Sequence, residues 1–137
     1  MRARRAVRAA SLLAAALIQL PACSDDEPTA PGASLIATWN ATSFVAMGQD
    51  FIAQGMTLRM VFSAAGTYTL TVGNDLIGAC APNPDCVETG NYTATTTQLT
   101  IDPGPDETVF TYTIQGTVLT LTGSIDGTAV TIILSRA

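Results

Sequence analysis

The sequence of 137 residues has room for one domain, and its charge excludes nucleic acid as a partner. Four of the six basic residues are arginines within residues 1–8, so residues 23–137 carry two arginines against eleven acidic residues. Contact with a phosphate backbone needs clustered Lys and Arg, and this chain contains neither lysine nor histidine. Attraction to anionic lipid surfaces is excluded for the same reason.

Residues 1–22 have the layout of an export signal. The arginine-rich residues 1–8 are followed by an almost unbroken apolar run over residues 9–20. A basic stretch before a short apolar stretch is typical of a secretory signal. The run is too short for a permanent membrane span, which needs about 20 apolar residues. We therefore expect residues 1–22 to be a signal peptide that is absent from the mature fold.

The four residues Leu20-Pro21-Ala22-Cys23 resemble the bacterial lipobox, in which a small residue precedes a cysteine that becomes the mature N-terminus. The resemblance implies a lipoprotein with a diacylglyceryl thioether and an amide-linked acyl chain, such as palmitate, on Cys23. Each buried CH₂ contributes about 0.8 kcal/mol, so several chains form a lasting membrane anchor. The alternative is an ordinary signal peptide that is cut near Ala22 and leaves an unpaired thiol.

Residues 23–33 indicate a tether between the anchor and the folded domain. The segment has three consecutive acidic residues, two prolines, one glycine and no aliphatic residue larger than alanine. Such a composition cannot bury enough apolar surface to order itself. An uncharged residue, Ser24, follows the lipidated cysteine. In a host with two membranes, resemblance to such lipoproteins favours the outer membrane, facing the periplasm or the surface.

Residues 34–137 alternate apolar and polar side chains with a period of two. Tyr68, Leu70 and Val72, for example, alternate with threonines, which is typical of half-buried strands. We predict eight such strands, near 35–46, 56–63, 66–73, 87–95, 97–101, 107–115, 117–122 and 128–135. The short, turn-rich links between them require antiparallel neighbours. An all-β fold follows, either a meander that closes into a barrel or a Greek-key β-sandwich.

A family resemblance favours the barrel. Residues 35–43 resemble the opening strand "L-x-G-x-W-x-x-x-S" of the small bacterial lipocalin-like domains, with Ala37 at the glycine position. The similarity continues in order through 58–69, 88–93, 98–101 and 130–136. It implies an eight-stranded antiparallel up-and-down barrel. In such a barrel Trp39 closes one end beneath Arg136.

Cys80 and Cys86 enclose five residues between two predicted strands, and in an exported protein they are expected to form a disulfide. A zinc site would need two further ligands, and there is no histidine to supply them. The acidic segment 102–107 matches no standard calcium-loop spacing and is expected to be a solvated turn. Asp75, Asp85 and Glu88, which lie around the cysteine loop, are likewise expected to be solvated and not to bind calcium. We expect no metal and no cofactor.

Catalysis is not expected, because the chain lacks the histidine and lysine that usually act as general bases or activated nucleophiles. We therefore expect no catalytic residue and no enzyme. An apolar ligand wall is the alternative use of the inward faces, and its candidate residues are Met56, Leu58, Met60, Phe62, Tyr68, Phe110 and Tyr112.

Two functions remain open at this level. In the first, the barrel holds a small apolar ligand. In the second, a filled barrel acts as a structural or interaction module of the cell envelope and contacts another envelope protein through its outer surface. The many bulky inward side chains favour a filled interior, since an eight-stranded barrel has room for either side chains or one small ligand. A cavity of about 300 Å³ or more would favour the ligand-binding function.

Overall fold

The computed structural model describes residues 33–137, which fold as an all-β domain with one short 3-10 turn at Ala33–Leu35. Nine strands follow: β1 Thr38–Ala46, β2 Gln49–Asp50, β3 Thr57–Phe62, β4 Thr67–Gly73, β5 Cys86–Ala94, β6 Gln98–Ile101, β7 Thr108–Gln115, β8 Val118–Ile125 and β9 Thr128–Arg136. The signal peptide, Cys23 and nearly all of the tether lie outside the described residues. Within the described part, no helix is long and apolar enough to cross a membrane.

The strands form one antiparallel sheet that closes on itself. Each strand from β3 to β8 pairs with the strand that follows it, and β1 pairs with β3. The first strand β1 also pairs with the last strand β9, from Trp39↔Arg136 to Ala46↔Val130. The predicted eight-stranded up-and-down barrel is therefore confirmed, and the Greek-key sandwich is wrong because its first and last strands would not share this ladder. The two-residue strand β2, which extends β1 through a hairpin, was not predicted because it is too short to show an alternation.

The antiparallel order gives the barrel two distinct ends. Trp39 at the start of β1 and Arg136 at the end of β9 lie at one end, together with the short turns that follow β3, β5 and β7. We call this the Trp39 end. The longer connections 51–56, 74–85 and 102–107 lie at the opposite end, which we call the loop end. Side chains that alternate inward along each strand therefore lie at different heights between the two ends.

The Trp39 end is filled with side chains. The fully buried Trp39 donates a 2.9 Å hydrogen bond from Nε1 to the carbonyl oxygen of Leu35, so its polar atom is satisfied inside the core. The Phe62 ring meets the Tyr92 ring edge-on with 4.9 Å between centroids. Buried leucines complete this layer: Leu35, Leu99, Leu119 and Leu134.

Candidate functional site

A cavity of about 420 Å³ lies inside the barrel toward the loop end. Its wall is built mainly from inward apolar side chains of β3, β4, β7, β8 and β9: Leu58, Met60, Tyr68, Leu70, Val72, Phe110, Leu121 and Ile132. The connection 51–56 adds Met56, and the loop 74–85 adds Ile77 and Ala79. The filled interior favoured from the sequence is therefore wrong for this half of the barrel. On β5, Glu88 and Gly90 are the cross-strand partners of inward-facing Leu70 and Tyr68, and they supply no apolar bulk there.

Five of the seven candidate ligand-wall residues line this cavity, and two do not. Met56, Leu58, Met60, Tyr68 and Phe110 line it. The remaining two, Phe62 and Tyr112, are buried at the Trp39 end, below the cavity. The separation arises because alternation predicts which face of a strand a side chain occupies but not its height along the barrel.

A hydrogen-bonded polar group interrupts the apolar wall. The Tyr68 hydroxyl donates to Asp102 Oδ2 at 2.7 Å and makes a longer contact of 3.4 Å with Glu88 Oε1. Burial, the hydrogen bond to Asp102 and the charge of Glu88 together raise the pKa of Tyr68 far above its ordinary value. The phenol is therefore a neutral donor at physiological pH.

The polar group depends on a close approach at Gly90. A β-carbon at this position would lie 2.8 Å from Cε1 of Tyr68 and still closer to Oδ1 of Asp102. Any larger residue would therefore separate the Asp102 carboxylate from the phenol. Glycine at this position allows both groups to meet on the inner surface of β5.

The carboxylates at the cavity are more than the solvated turn residues that the sequence predicts. Glu88, Asp102 and Asp106 are exposed, but all three also line the cavity. For Glu88, the sequence could have predicted the inward orientation. It is an even number of residues from Tyr92 on the same strand, so it shares the inward face. The other two follow strand β6 in a connection whose path alternation cannot predict.

The loop 74–85 brings apolar residues against the cavity, and several local bonds fix its shape. The predicted Cys80–Cys86 disulfide is confirmed, with 5.4 Å between the Cα atoms. Asp75 accepts backbone hydrogen bonds from Ile77, Gly78 and Cys80 at 2.7–3.1 Å. Asp85 Oδ1 accepts another from the Asn74 backbone at 2.8 Å. These bonds hold Ile77 and Ala79 where they line the cavity.

A second, smaller cavity of about 310 Å³ adjoins the first at the loop end and shares Phe44, Ile77, Ala79 and Ile125 with it. Asp50 organises the connection beside it. Its Oδ2 accepts from the Ser43 hydroxyl at 2.8 Å, and its Oδ1 accepts from the Phe44, Ile52 and Ala53 backbones. These hydrogen bonds, that from Ser43 first, lower the pKa of Asp50.

Arg136 and Trp39 contact each other at the far end of the barrel from the cavity. The guanidinium carbon lies 4.9 Å from the centroid of the indole. Neither residue lines the cavity. Within residues 33–137, no group of three or more His, Cys, Asp or Glu side chains is placed to hold a metal ion.

No protein-family model matches the chain, and no curated protein sequence matches it. Among solved structures, the chain is similar to the crystal structure of fatty-acid-binding protein 1 from Echinococcus granulosus. The two share 12% sequence identity with a TM-score of 0.44, over 76% of this chain and 98% of the other. The pairing of β1 with β9 in this chain shows by itself that the barrel is closed.

Proposed function

We propose that this protein binds a small apolar molecule inside its barrel. The observation that carries the proposal is the cavity of about 420 Å³ with a mainly apolar wall. Sites for small molecules in proteins typically have volumes of about 300–1,000 Å³ and apolar linings with a few polar groups. The cavity has this composition, with Tyr68, Glu88 and Asp102 as polar groups.

The wall suits a ligand of variable shape. Met56 and Met60 are unbranched and polarisable, so they adapt to different contours at small cost. A linear apolar chain of ten methylenes would contribute roughly 8 kcal/mol on burial before ordering costs are subtracted. Binding of such a chain is therefore expected to be measurable.

We also propose that the barrel works in the cell envelope as an exported lipoprotein, anchored through Cys23. The support is the order of features in the sequence: a basic and apolar signal, the lipobox-like residues 20–23 and an acidic tether up to residue 33. The Cys80–Cys86 disulfide is compatible with an oxidising compartment. A barrel held at a membrane surface would be placed to take up an apolar molecule there.

Calorimetric titration with dodecanol tests ligand binding without adding charge. Trp39 does not line the cavity, so its emission is a poorer reporter than heat. We expect saturable binding that is abolished by Leu70→Trp, which fills the cavity from its wall. Val109→Trp on the exposed outer face is the matched control and should bind as the wild type does. Equal binding by both variants would show that dodecanol does not enter the barrel.

A further inference from the structure

Three carboxyl groups line one side of the cavity, where the sheet is incompletely paired. On β5 only Tyr92, Thr93 and Ala94 pair with β6, so its first half has a partner on the β4 side alone. Glu88 lies on this half of β5. Asp102 and Asp106 lie in the connection between β6 and β7, and both line the same cavity. A ligand headgroup on this side of the cavity would therefore lie beside carboxylates.

Within residues 33–137, no positively charged side chain lines the cavity. Of the two arginines in residues 33–137, Arg59 is exposed on β3 and Arg136 lies over Trp39 at the opposite end. Neither lines the cavity. An incoming carboxylate would meet three groups of its own sign. Repulsion between like charges weakens binding, and the effect is strongest at low salt.

Hydrogen bonding leads to the same preference. A carboxylate only accepts hydrogen bonds, and the neighbouring Tyr68 already gives its one hydroxyl proton to Asp102. A further ligand group is therefore recognised best if it donates. A primary ammonium group carries a positive charge and three N–H donors.

We propose that the cavity selects an amphiphile with an apolar chain and a cationic amine headgroup, with the chain inside the barrel and the amine beside Glu88, Asp102 and Asp106. The inference rests on the proposed function, since it names the ligand class of the same cavity. Fatty acids are disfavoured because their headgroup has the wrong charge for this wall.

The test compares three ligands of equal chain length by calorimetry at low salt and below their aggregation concentrations: dodecylamine, dodecanol and dodecanoate. We expect dodecylamine to bind about 10-fold or more tightly than dodecanoate, with dodecanol between them. The preference should shrink as salt is raised, because the three carboxylates are exposed to solvent. Butylamine, which has the charge but little chain, should not bind measurably.

Neutralising variants identify the carboxylates responsible. Glu88→Gln, Asp102→Asn and Asp106→Asn should each reduce the ratio of dodecylamine to dodecanoate affinity. Glu107→Gln is the matched control, because it removes the same charge from the same connection without lining the cavity. Should Asp102→Asn fail to fold through loss of its bond with Tyr68, the variants at Glu88 and Asp106 still decide the question.

The outcomes separate the two proposals. If none of the three dodecyl ligands binds, the proposed function itself fails. If dodecanol binds but dodecanoate binds as tightly as dodecylamine, the cavity is a ligand site and the amine preference is wrong. An equal loss of preference in Glu107→Gln would also overturn it, since the effect would then be one of net charge rather than of the cavity wall.

Discussion

The guanidinium of Arg136 lies 4.9 Å from the centroid of the Trp39 indole, and its Nη2 also donates a 2.7 Å hydrogen bond to the carbonyl oxygen of Ser34. The two residues are cross-strand partners where β1 meets β9. One side chain therefore joins the last strand, the first strand and the segment before it. This contact covers the filled end of the barrel and stabilises the seam that closes the sheet.

Removing this side chain should destabilise the barrel. An exposed cation–π contact and one hydrogen bond together are worth about 1–2 kcal/mol, so Arg136→Ala should lower the free energy of unfolding by that amount in chemical denaturation. Arg59→Ala is the control, because Arg59 is exposed on the outer face of β3 and its loss should cost less than about 0.5 kcal/mol. Equal stability of the two variants would show that the contact contributes nothing.

The antiparallel meander was predictable from the sequence, and the reason is local. Alternation in strands such as β4 and β8, with turn residues between neighbours, requires an antiparallel meander. Closure of the meander into a barrel does not follow from alternation alone. The family resemblance predicts it, because it places Trp39 and Arg136 at the same end of the barrel. The strand β8 runs to Ile125, beyond its predicted end near residue 122, because Gly123 and Ser124 break the apolar alternation while still pairing with β9.

Gly90 should tolerate no side chain. In Gly90→Ala the new β-carbon would collide with the Tyr68 ring and the Asp102 carboxylate, and such overpacking typically costs about 1–3 kcal/mol. Denaturation midpoints of the variant measure this cost. In an Asp102→Ala background one of the two collisions is absent, so Gly90→Ala should cost less there. If Gly90→Ala lowers stability equally in both backgrounds, the collision with the Tyr68 ring alone accounts for the loss.

The cavity and its acidic side, unlike the strand order, could not be predicted from the sequence. Met60 and Phe62 lie on one face of β3, yet only Met60 reaches the cavity, because the interior volume depends on how side chains from several strands stack at each height. The position of Asp102 depends on a backbone turn with a positive φ of 49° that no periodicity signals.

Alkaline pH should destabilise the protein through its tyrosines. Burial is the main reason that the pKa values of Tyr68, Tyr92 and Tyr112 are raised in the folded state. In the unfolded chain, tyrosine side chains titrate near pH 10. Below pH 10 both states keep these protons and stability is unaffected. Between pH 10 and its own raised pKa, each tyrosine is protonated in the folded state and ionised in the unfolded state. Each therefore lowers stability over that interval, with a limiting slope of about 1.4 kcal/mol per pH unit.

Denaturant unfolding between pH 8 and 11.5 measures this loss, and the sequence contains no lysine to complicate it. Tyr68→Phe should make the decline above pH 10 less steep. The native tyrosine absorbance should show little ionisation until the protein unfolds. Native-state titration of all three tyrosines near pH 10 would contradict the prediction.

The lipid anchor is the prediction that bears most on where the barrel works. If Cys23 carries acyl chains, the protein expressed in a two-membrane bacterium should enter the detergent phase on Triton X-114 partition and incorporate labelled palmitate. Cys23→Ser should abolish both, because a single sulfur holds the diacylglyceryl group and the new N-terminus is not formed without it. The chain contains three cysteines, so Cys86→Ser serves as the control: it breaks the disulfide but should leave the label and the partition unchanged. Wild-type protein that stays in the aqueous phase without label would instead support cleavage by an ordinary signal peptidase and release of the barrel from the membrane.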